Sequence, residues 1–294
     1  MVQIVSTKQA VENKRPKVAI YGASGVGKTT LAKTLPHDKV LVINAEGGLM
    51  SIADADIDST PINTFNDILA LYKWLTESKD AQKYEHLIFD SLSDVAEVCL
   101  DYEKSQVNDK RQAYGNTNDK MMYIMRQFRD LPFSVAYLCK LEKNKDEVTG
   151  AMLYSPLMPG QQLPKQLPYL MDAVLALRMT APDANGNSER YIQTQPDYQW
   201  EAKCRNAPGR ELDAREPADL GWIYDKLQGY HPYQLWYYHP ESDSYLLLTG
   251  RAAEQMQNDD PNVQLTKIGS DESKEKHQAW MAKKAAQAEK ETSK

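Results

Sequence analysis

The segment Gly22–Thr29 (Gly-Ala-Ser-Gly-Val-Gly-Lys-Thr) has the residue types and spacing of a phosphate-binding loop. It fits the pattern GxxxxGK[ST] in full, in which glycines let backbone N–H groups converge on a phosphate. An apolar run precedes it and a helical pattern follows, and the N-terminus of a helix attracts anions. We therefore expect Lys28 to reach the β- and γ-phosphates of a nucleotide and the Thr29 hydroxyl to ligate Mg²⁺. The predicted nucleotide-binding residues are Gly22, Ala23, Ser24, Gly25, Val26, Gly27, Lys28, Thr29 and Thr30.

Two acidic residues follow apolar runs that are typical of buried strands. Asp90 ends the run His86–Asp90, and Glu46 follows the run Lys39–Asn44 after one intervening residue, Ala45. Ligands gather at the carboxyl ends of the strands in open α/β sheets. We expect Asp90 to hold Mg²⁺ through water, as the Walker B residue. Glu46 is placed to orient or deprotonate an attacking water, although an ordinary loop glutamate is the alternative interpretation.

The order of these motifs is similar to that of the RecA-like ATPases. The shared elements are the P-loop, then Asn44-Ala-Glu46 at the end of the second strand, then Phe89-Asp-Ser91 at the end of the third. The resemblance implies that Glu46 is the catalytic glutamate; Asn44 stands where the family often has Asp. Residues 16–228 as a whole resemble the phage-encoded AAA/RecA-type P-loop ATPases, some of which are single-strand annealing or recombination proteins. Softer points of resemblance are Leu157–Gly160, Leu170–Asp172 and Ala202–Arg205.

The resemblance also implies partners and a second set of catalytic residues. RecA-like proteins use a Lys-x-Arg pair from a late strand to reach the γ-phosphate of the neighbouring subunit, and Lys203 and Arg205 match that pair. A surface basic pair is the alternative. A cation delivered to the developing charge contributes about 10³–10⁵ in rate. The implied partners are further copies of the chain in a ring or filament, single-stranded DNA, and single-strand-binding or replication proteins.

The periodicity predicts an α/β fold with a mostly parallel central sheet flanked by helices, which is the RecA-like P-loop arrangement. The region up to residue 140 alternates strands with helices, the first helix ending at Pro36. The predicted strands are 17–21, 39–44, 86–90, 134–138, 172–179 and 190–195, with 199–205 a short strand or loop. The predicted helices are 29–35, 67–75, 94–104, 121–129 and 217–228.

Turn residues and prolines divide the second half of the chain. Glu147–Gly150 is the predicted tip of a hairpin between Lys143 and Tyr154, and 183–187 is a second turn. Four prolines between 156 and 168 predict a loop there rather than a long helix. From Tyr230, two aromatic-rich segments, 234–238 and 245–248, predict a hairpin. The predicted domains are a leader (1–15), the ATPase core (16–229), an aromatic β-rich appendage (230–268) and a charged helical or disordered tail (269–294).

Charge limits how the chain could bind nucleic acid. Its 35 basic and 41 acidic residues give a net charge of -6, which excludes a generally cationic surface. The predicted single-strand-binding loops are the polar stretch Val107–Lys120 and the segment Lys140–Lys165, whose lysines surround Tyr154. A solvated hairpin has the same composition. Binding is expected to be salt-sensitive and to gain strength from ATP-driven assembly.

Three other functions fit parts of the sequence. Asn144-Lys-Asp-Glu147 nearly matches the NKxD motif of GTPases, but Glu147 replaces its final Asp and no Asp-x-x-Gly follows Asp90. A nucleoside or nucleotide kinase would need an arginine-rich lid, which the sequence lacks. A nucleotide-dependent assembly or helicase-loading factor stays open, because clustered Trp and Tyr after Tyr230 are typical of interfaces.

Hydropathy and cysteine content indicate the cellular compartment of the protein. No apolar run reaches the roughly 18 residues of a membrane helix, and no secretory signal begins the chain. The three cysteines, Cys99, Cys139 and Cys204, have no metal-ligand spacing and are expected to be reduced thiols. These features predict a cytoplasmic protein, in the host cell if it is phage-encoded, with no membrane partner.

Overall fold

The computed structural model describes residues 6–7, 14–230, 235–239, 242, 244–260, 263 and 265–267. The chain divides into two compact units, Met1–Gln228 and Gly229–Lys294. The predicted charged tail and most of the predicted leader lie outside the described residues. Within them, no helix is long and apolar enough to cross a membrane.

A mixed sheet of ten strands forms the centre of the first unit. Its main path runs β10-β8-β7-β1-β5-β4-β2-β3, with β6 paired to β5 and β9 to β7. The six strands from β3 to β7 on this path are parallel, so the predicted mostly parallel sheet is confirmed. The edge at which these parallel strands end is called the carboxyl edge. The strands are β1 Lys17–Gly22, β2 Val40–Asn44, β3 Asp58–Pro61, β4 His86–Asp90, β5 Ser134–Lys145, β6 Met152–Pro156, β7 Ala173–Met179, β8 Arg190–Gln193, β9 Lys203–Cys204 and β10 Arg215–Pro217.

Helices cover both faces of this sheet. Within residues 14–230 of the described chain, five α-helices pack with this sheet: α1 Phe65–Glu77, α2 Leu92–Gln106, α3 Lys110–Arg129, α4 Gln162–Leu170 and α5 Leu220–Gln228. Short 3-10 helices span Thr29–Thr34, His37–Lys39, Leu49–Ile52 and Asp80–Lys83. The predicted helix 29–35 is therefore the first of these, and it ends before Pro36. The strand β10 occupies the start of the predicted helix 217–228, which begins only at Leu220.

The core lies on both sides of the sheet because successive side chains of a strand point to opposite faces. In β1, Ala19 and Tyr21 pack with the side of the sheet that α1 to α4 cover. Val18 and Ile20 pack on the other side with residues of the first 3-10 helix and α5. Apolar residues on both faces make β1 a central strand, which fits its place between β5 and β7.

Two segments predicted as loops are helical: the proline-containing stretch 156–168 is partly α4, and the polar stretch 107–120 is mostly α3. Pro164 lies in the first turn of α4, where backbone N–H groups need no helical partner, and α4 ends two residues after Pro168. The buried spacing Leu163, Leu167 and Leu170 holds this helix on the core.

The polar stretch Val107–Lys120 is also mostly helix, because α3 begins at Lys110. The Asp109 side chain accepts a hydrogen bond from the Arg111 amide and caps the helix. Ala113, Thr117 and Met121 then form one buried stripe along α3. The predicted loop over 107–120 is therefore wrong for residues 110–120, whereas contact of this stretch with single-stranded DNA stays a prediction.

The two predicted hairpins of this unit are present. β5 and β6 pair antiparallel with Lys143 opposite Tyr154, and the Gly150 amide donates to the Asp146 carbonyl in the turn. β7 and β8 pair antiparallel around the predicted turn 183–187.

The second unit contains the predicted aromatic hairpin. The strands β11 Leu235–His239 and β12 Ser244–Leu248 pair antiparallel, and β13 Thr266–Lys267 joins the other side of β11. The rings of Tyr238 and Tyr245 lie 5.2 Å apart across the pair. One helix, α6 Gly250–Asp259, follows β12 and begins with Thr249 as its cap.

Candidate active site

The glycine-rich loop joins the end of β1 to the first 3-10 helix, at the carboxyl edge of the sheet. Gly22 lies so close to β7 that a Cβ there would be 2.6 Å from the Leu177 carbonyl oxygen. Gly27 has a φ of 94°, a region that side chains other than glycine rarely adopt. Close packing and backbone conformation therefore both require glycine in this loop.

Lys28 folds back over the loop. Its Nζ donates to the carbonyl oxygens of Gly22, at 3.0 Å, and Ala23, at 3.1 Å. Burial lowers the pKa of Lys28, and the nearby carboxylates of Glu46 and Asp90 act in the opposite direction. The ammonium group thus lies on the loop, close enough to Glu46 and Asp90 for their charges to affect its pKa.

Thr29 and Asp90 meet although 61 positions separate them in the chain. The Thr29 Oγ1 donates to Asp90 Oδ2 at 2.6 Å. Asp90 is only 2% exposed, and its Oδ1 has no hydrogen-bond partner among the described residues. Burial raises the pKa of Asp90, while the hydrogen bond from Thr29 acts to lower it. A buried carboxylate oxygen without a partner is costly unless a ligand uses it.

This pair fits a magnesium ion bound together with phosphates. Mg²⁺ prefers oxygen ligands and is held by one or two protein groups plus water and substrate phosphates. The Asp90 carboxylate and the Thr29 hydroxyl supply such groups, and Oδ1 of Asp90 is available. Among the described residues, no cluster of three or more His, Cys, Asp or Glu could hold a metal ion by itself.

Glu46 is fastened to the end of β4 through the backbone. The amides of Ala45 and Glu46 both donate to the Asp90 carbonyl oxygen, at 2.8 and 3.1 Å. Asn44 fixes the turn, because its Oδ1 accepts from the Gly47 amide at 2.8 Å. The exposed Glu46 carboxylate lies close enough to influence the pKa of Asp90 and of Lys28. The structure thus brings Glu46 to the P-loop edge.

Lys203 and Arg205 lie at the opposite edge of the sheet. β9 pairs with the first residues of β7, with Lys203 opposite Val174. Lys203 Nζ donates to the carbonyl oxygens of Pro168 and Met171, and Arg205 Nη2 donates to that of Tyr169 at 2.6 Å. The structure therefore does not bring this pair together with Lys28 of the same chain, and its predicted role in a neighbouring subunit stays a prediction.

Two further cations lie at the carboxyl edge, and our sequence reasoning did not place them in the site. Lys140 on β5 is in register with Gly22, and its Nζ is 2.5 Å from Asp94 Oδ1. Burial acts to lower the pKa of Lys140, but the hydrogen bond that it donates to Asp94, together with the negative charges of Asp94, Glu97 and Glu46, outweighs burial, so the net shift is upward. Arg190 begins β8 and donates from Nη1 to Thr30 Oγ1 at 2.9 Å. The turn predicted after β7 could have located Arg190, because a strand that follows a tight turn begins at the edge where the previous strand ends.

Comparison with known proteins identifies the family. The model of the AAA domain family matches residues 14–206, which is more than half of the chain. The chain belongs to the AAA domain family. No curated protein matches it. Among solved structures, it is similar to a KaiC-like protein, PH0186, from the hyperthermophilic archaeon Pyrococcus horikoshii OT3, with 13% identity, a TM-score of 0.35, and coverage of 60% of this chain and 77% of that one.

The extent of the family match agrees with the location of the site. The AAA domain spans the P-loop, Glu46 and Asp90, and it ends at residue 206, just after Arg205. The helix α5 and the second unit lie beyond it. The P-loop of this AAA domain makes the chain a P-loop NTPase.

Proposed function

We propose that the chain binds and hydrolyses ATP with Mg²⁺ and that hydrolysis serves an action on single-stranded DNA, in recombination, annealing or replication. The observation that carries the enzymatic part is the contact between Thr29 and Asp90. It joins the P-loop to the end of β4, and Lys28 and Glu46 lie at the same edge. This is the set of groups that phosphoryl transfer to water requires.

Each residue has a role that follows from its position. Lys28 exchanges the carbonyl oxygens of Gly22 and Ala23 for phosphate oxygens. Thr29 and Asp90 hold Mg²⁺, which neutralises phosphate charge when bound. Glu46, exposed at the end of β2, orients the attacking water and accepts its proton.

We further propose that the active form is a homo-oligomer. Within one chain, Lys203 and Arg205 face away from the P-loop edge, so a second copy is needed to supply them to a nucleotide. The Arg205 side chain is half exposed and accessible to a neighbour. Particle size measured with and without MgATP tests this point, and an unchanged monomer under both conditions would contradict it.

The β5–β6 hairpin is the proposed contact with single-stranded DNA. It continues β5, the strand between the P-loop strand and the Asp90 strand, beyond the sheet. Lys143 and Lys145 are exposed on it and form no ion pair among the residues that the structure describes. Lysines of this kind neutralise phosphates.

Two other residues of the predicted DNA-binding segment are engaged within the chain. Lys140 is paired with Asp94, and the Tyr154 ring stacks on Trp200 at a centroid distance of 4.4 Å. The proposed DNA contact therefore rests on Lys143 and Lys145 rather than on base stacking by Tyr154.

The charge of the same hairpin favours a second candidate function. Between residues 141 and 151, Glu142, Asp146 and Glu147 outnumber Lys143 and Lys145. A weakly acidic hairpin suits a protein partner better than a polyanion. The alternative is a nucleotide-dependent assembly or helicase-loading factor with no direct action on DNA.

The rate of ATP hydrolysis with and without single-stranded DNA, at low salt, distinguishes these functions. We expect wild type to hydrolyse ATP and Lys28→Ala to have no activity, because the variant lacks the cation that contacts the phosphates. Full turnover by Lys28→Ala would refute the proposed site. Stimulation by DNA supports the first function. Hydrolysis without stimulation or DNA binding supports the second.

A double variant tests the hairpin directly. Lys143→Ala with Lys145→Ala removes two phosphate contacts, so the slope of log K against log salt should fall by about 1.4, at about 0.7 per contact on a single strand. Lys79→Ala, which removes an exposed lysine next to α1, is the control and should leave binding unchanged. Equal DNA affinity and equal salt slope for wild type and the double variant would exclude the hairpin.

A further inference from the structure

The side chain of Arg190 lies on the P-loop. Its Nη1 donates to Thr30 Oγ1 at 2.9 Å, and a Cβ on Gly27 would come within 2.2 Å of the same atom. The guanidinium group therefore covers the loop backbone between Gly27 and Thr30. Lys28 extends in another direction, toward Gly22 and Ala23.

The backbone of Arg190 is held firmly at the carboxyl edge. In the β7–β8 ladder Arg190 is opposite Met179, the last residue of β7. Just before it, the Glu189 amide donates to Thr180 Oγ1 at 2.9 Å, and the Thr180 amide donates to the Glu189 carbonyl at 2.8 Å. These bonds fix where the side chain starts, while the side chain itself is exposed.

Arg190 is an arginine without an acidic partner among the described residues. Two other arginines of this part of the sheet are satisfied within the chain. Arg178 stacks on the Trp200 ring at 4.5 Å and pairs with Asp197, and Arg215 stacks on the Tyr191 ring at 4.7 Å. The contact with Thr30 uses one of the five N–H donors of the Arg190 guanidinium.

We propose that Arg190 contacts a phosphate of the bound nucleotide from the same subunit. A guanidinium group is always charged and its fork of donors matches phosphate oxygens. Its position beside Gly27 and Thr30 places it on the loop that binds phosphate, and its start on β8 belongs to the same chain. This inference rests on the proposed binding of ATP and adds a cation to that site.

The test measures the affinity of the full chain for ATP and for ADP, with Mg²⁺, by titration with fluorescent nucleotides. Arg190→Ala should weaken binding about tenfold, equal to about 1.4 kcal/mol. Arg190→Lys should be intermediate, because it keeps the charge and loses the fork. Arg215→Ala removes the same charge from the neighbouring strand β10 and should bind like wild type. A loss shared by ATP and ADP, or a loss confined to ATP, supports the proposal and identifies the phosphate contacted.

Unchanged affinity of Arg190→Ala for both nucleotides, measured while Lys28→Ala weakens binding, would overturn the inference and leave the proposed function intact. A wild-type chain that binds no nucleotide would overturn both. If Arg190→Ala does not fold, wild-type affinity of Arg190→Lys and Arg190→Gln would overturn the inference. Hydrolysis recovered by mixing Arg190→Ala chains with Lys28→Ala chains would contradict assignment to the same subunit.

Discussion

Among the buried carboxylates of the described residues, Asp90 and Glu103 lie in opposite electrical surroundings, and their amide variants form a matched pair. Asp90 and Glu103 are each 2% exposed. Asp90 has one oxygen without a partner in the described part of the chain, and burial raises its pKa. Burial also acts to raise the pKa of Glu103, but hydrogen bonds from Lys120 and Asn116 bring it below its usual value.

The structure predicts opposite changes in stability for the two variants. Asp90→Asn keeps the hydrogen bond from Thr29 and removes the buried charge, so the free energy of unfolding should rise by about 1–2 kcal/mol. At about 2–4 °C per kcal/mol for a domain of this size, the melting temperature rises by roughly 2–8 °C. Glu103→Gln breaks an ion pair with Lys120, whose side chain is 39% exposed and can be hydrated. Its cost should be about 1–3 kcal/mol.

Thermal unfolding without nucleotide, in EDTA, should therefore rank Asp90→Asn above wild type and Glu103→Gln below it. MgATP should then raise the melting temperature of wild type and of Glu103→Gln, because a ligand that binds only the folded state stabilises it. Asp90→Asn should gain much less, since it lacks the carboxylate that we propose as a ligand of the metal. Stability and ligand response thus separate a site carboxylate from a structural one.

The advantage of Asp90→Asn should also depend on pH. Because the folded-state pKa of Asp90 lies above its ordinary value of 3.8, protonation stabilises the wild-type fold. That stabilisation is complete below pH 3.8 and is lost as pH rises through the raised pKa, so the variant's advantage should shrink in acid. A melting temperature of Asp90→Asn below that of wild type at neutral pH would refute the claim that the buried charge of Asp90 destabilises the fold. An equal rise in melting temperature on addition of MgATP for Asp90→Asn and wild type would refute the proposed role of Asp90 in metal binding.

Three further predictions concern the same edge of the sheet. Glu46→Gln should keep wild-type affinity for MgATP and lower kcat by about 10²–10⁴, because only the proton acceptor is lost; single-turnover phosphate release checks this. Gly27→Ala should abolish nucleotide binding in a titration while circular dichroism stays unchanged, because its φ is 94° and Arg190 occupies the space for a Cβ. If Asp90 and Thr29 hold Mg²⁺ as proposed, EDTA should stop hydrolysis and added Mg²⁺ should restore it; metal-independent turnover would contradict their proposed role.

Short-range sequence patterns predicted most of the strands in the first half of the chain. Runs such as Val18–Tyr21 are buried on both faces, and a run of that kind has few alternatives to a central parallel strand. The order of strands then placed Asp90 and Glu46 at the edge that carries the P-loop. In parallel strands, all carboxyl ends meet at one edge, so this part of the site followed from the sequence.

Segments with mixed signals were predicted less well. The stretch 107–120 is polar enough to be a loop, yet a stripe of Ala113, Thr117 and Met121 buries it as the start of α3. In α4, prolines suggested a loop, but three buried leucines hold a short helix. In both cases tertiary packing outweighed local composition.

The sequence by itself determined that this chain has a P-loop, an acidic residue at the end of a neighbouring strand and a mostly parallel sheet, because those features depend on residues adjacent in the chain and on strand periodicity. Only the tertiary structure decided which cations lie near the loop. Lys203 and Arg205 are at the far edge because β9 runs antiparallel along the start of β7. Arg190 reaches Thr30 across 160 positions because β8 runs antiparallel to β7 and therefore begins at the carboxyl edge, where β7 ends. The direction of a strand decides whether its first residues lie at the carboxyl edge of the sheet or at the opposite edge. Strand direction depends on pairing between segments that are distant in the chain, so local sequence patterns do not reveal it.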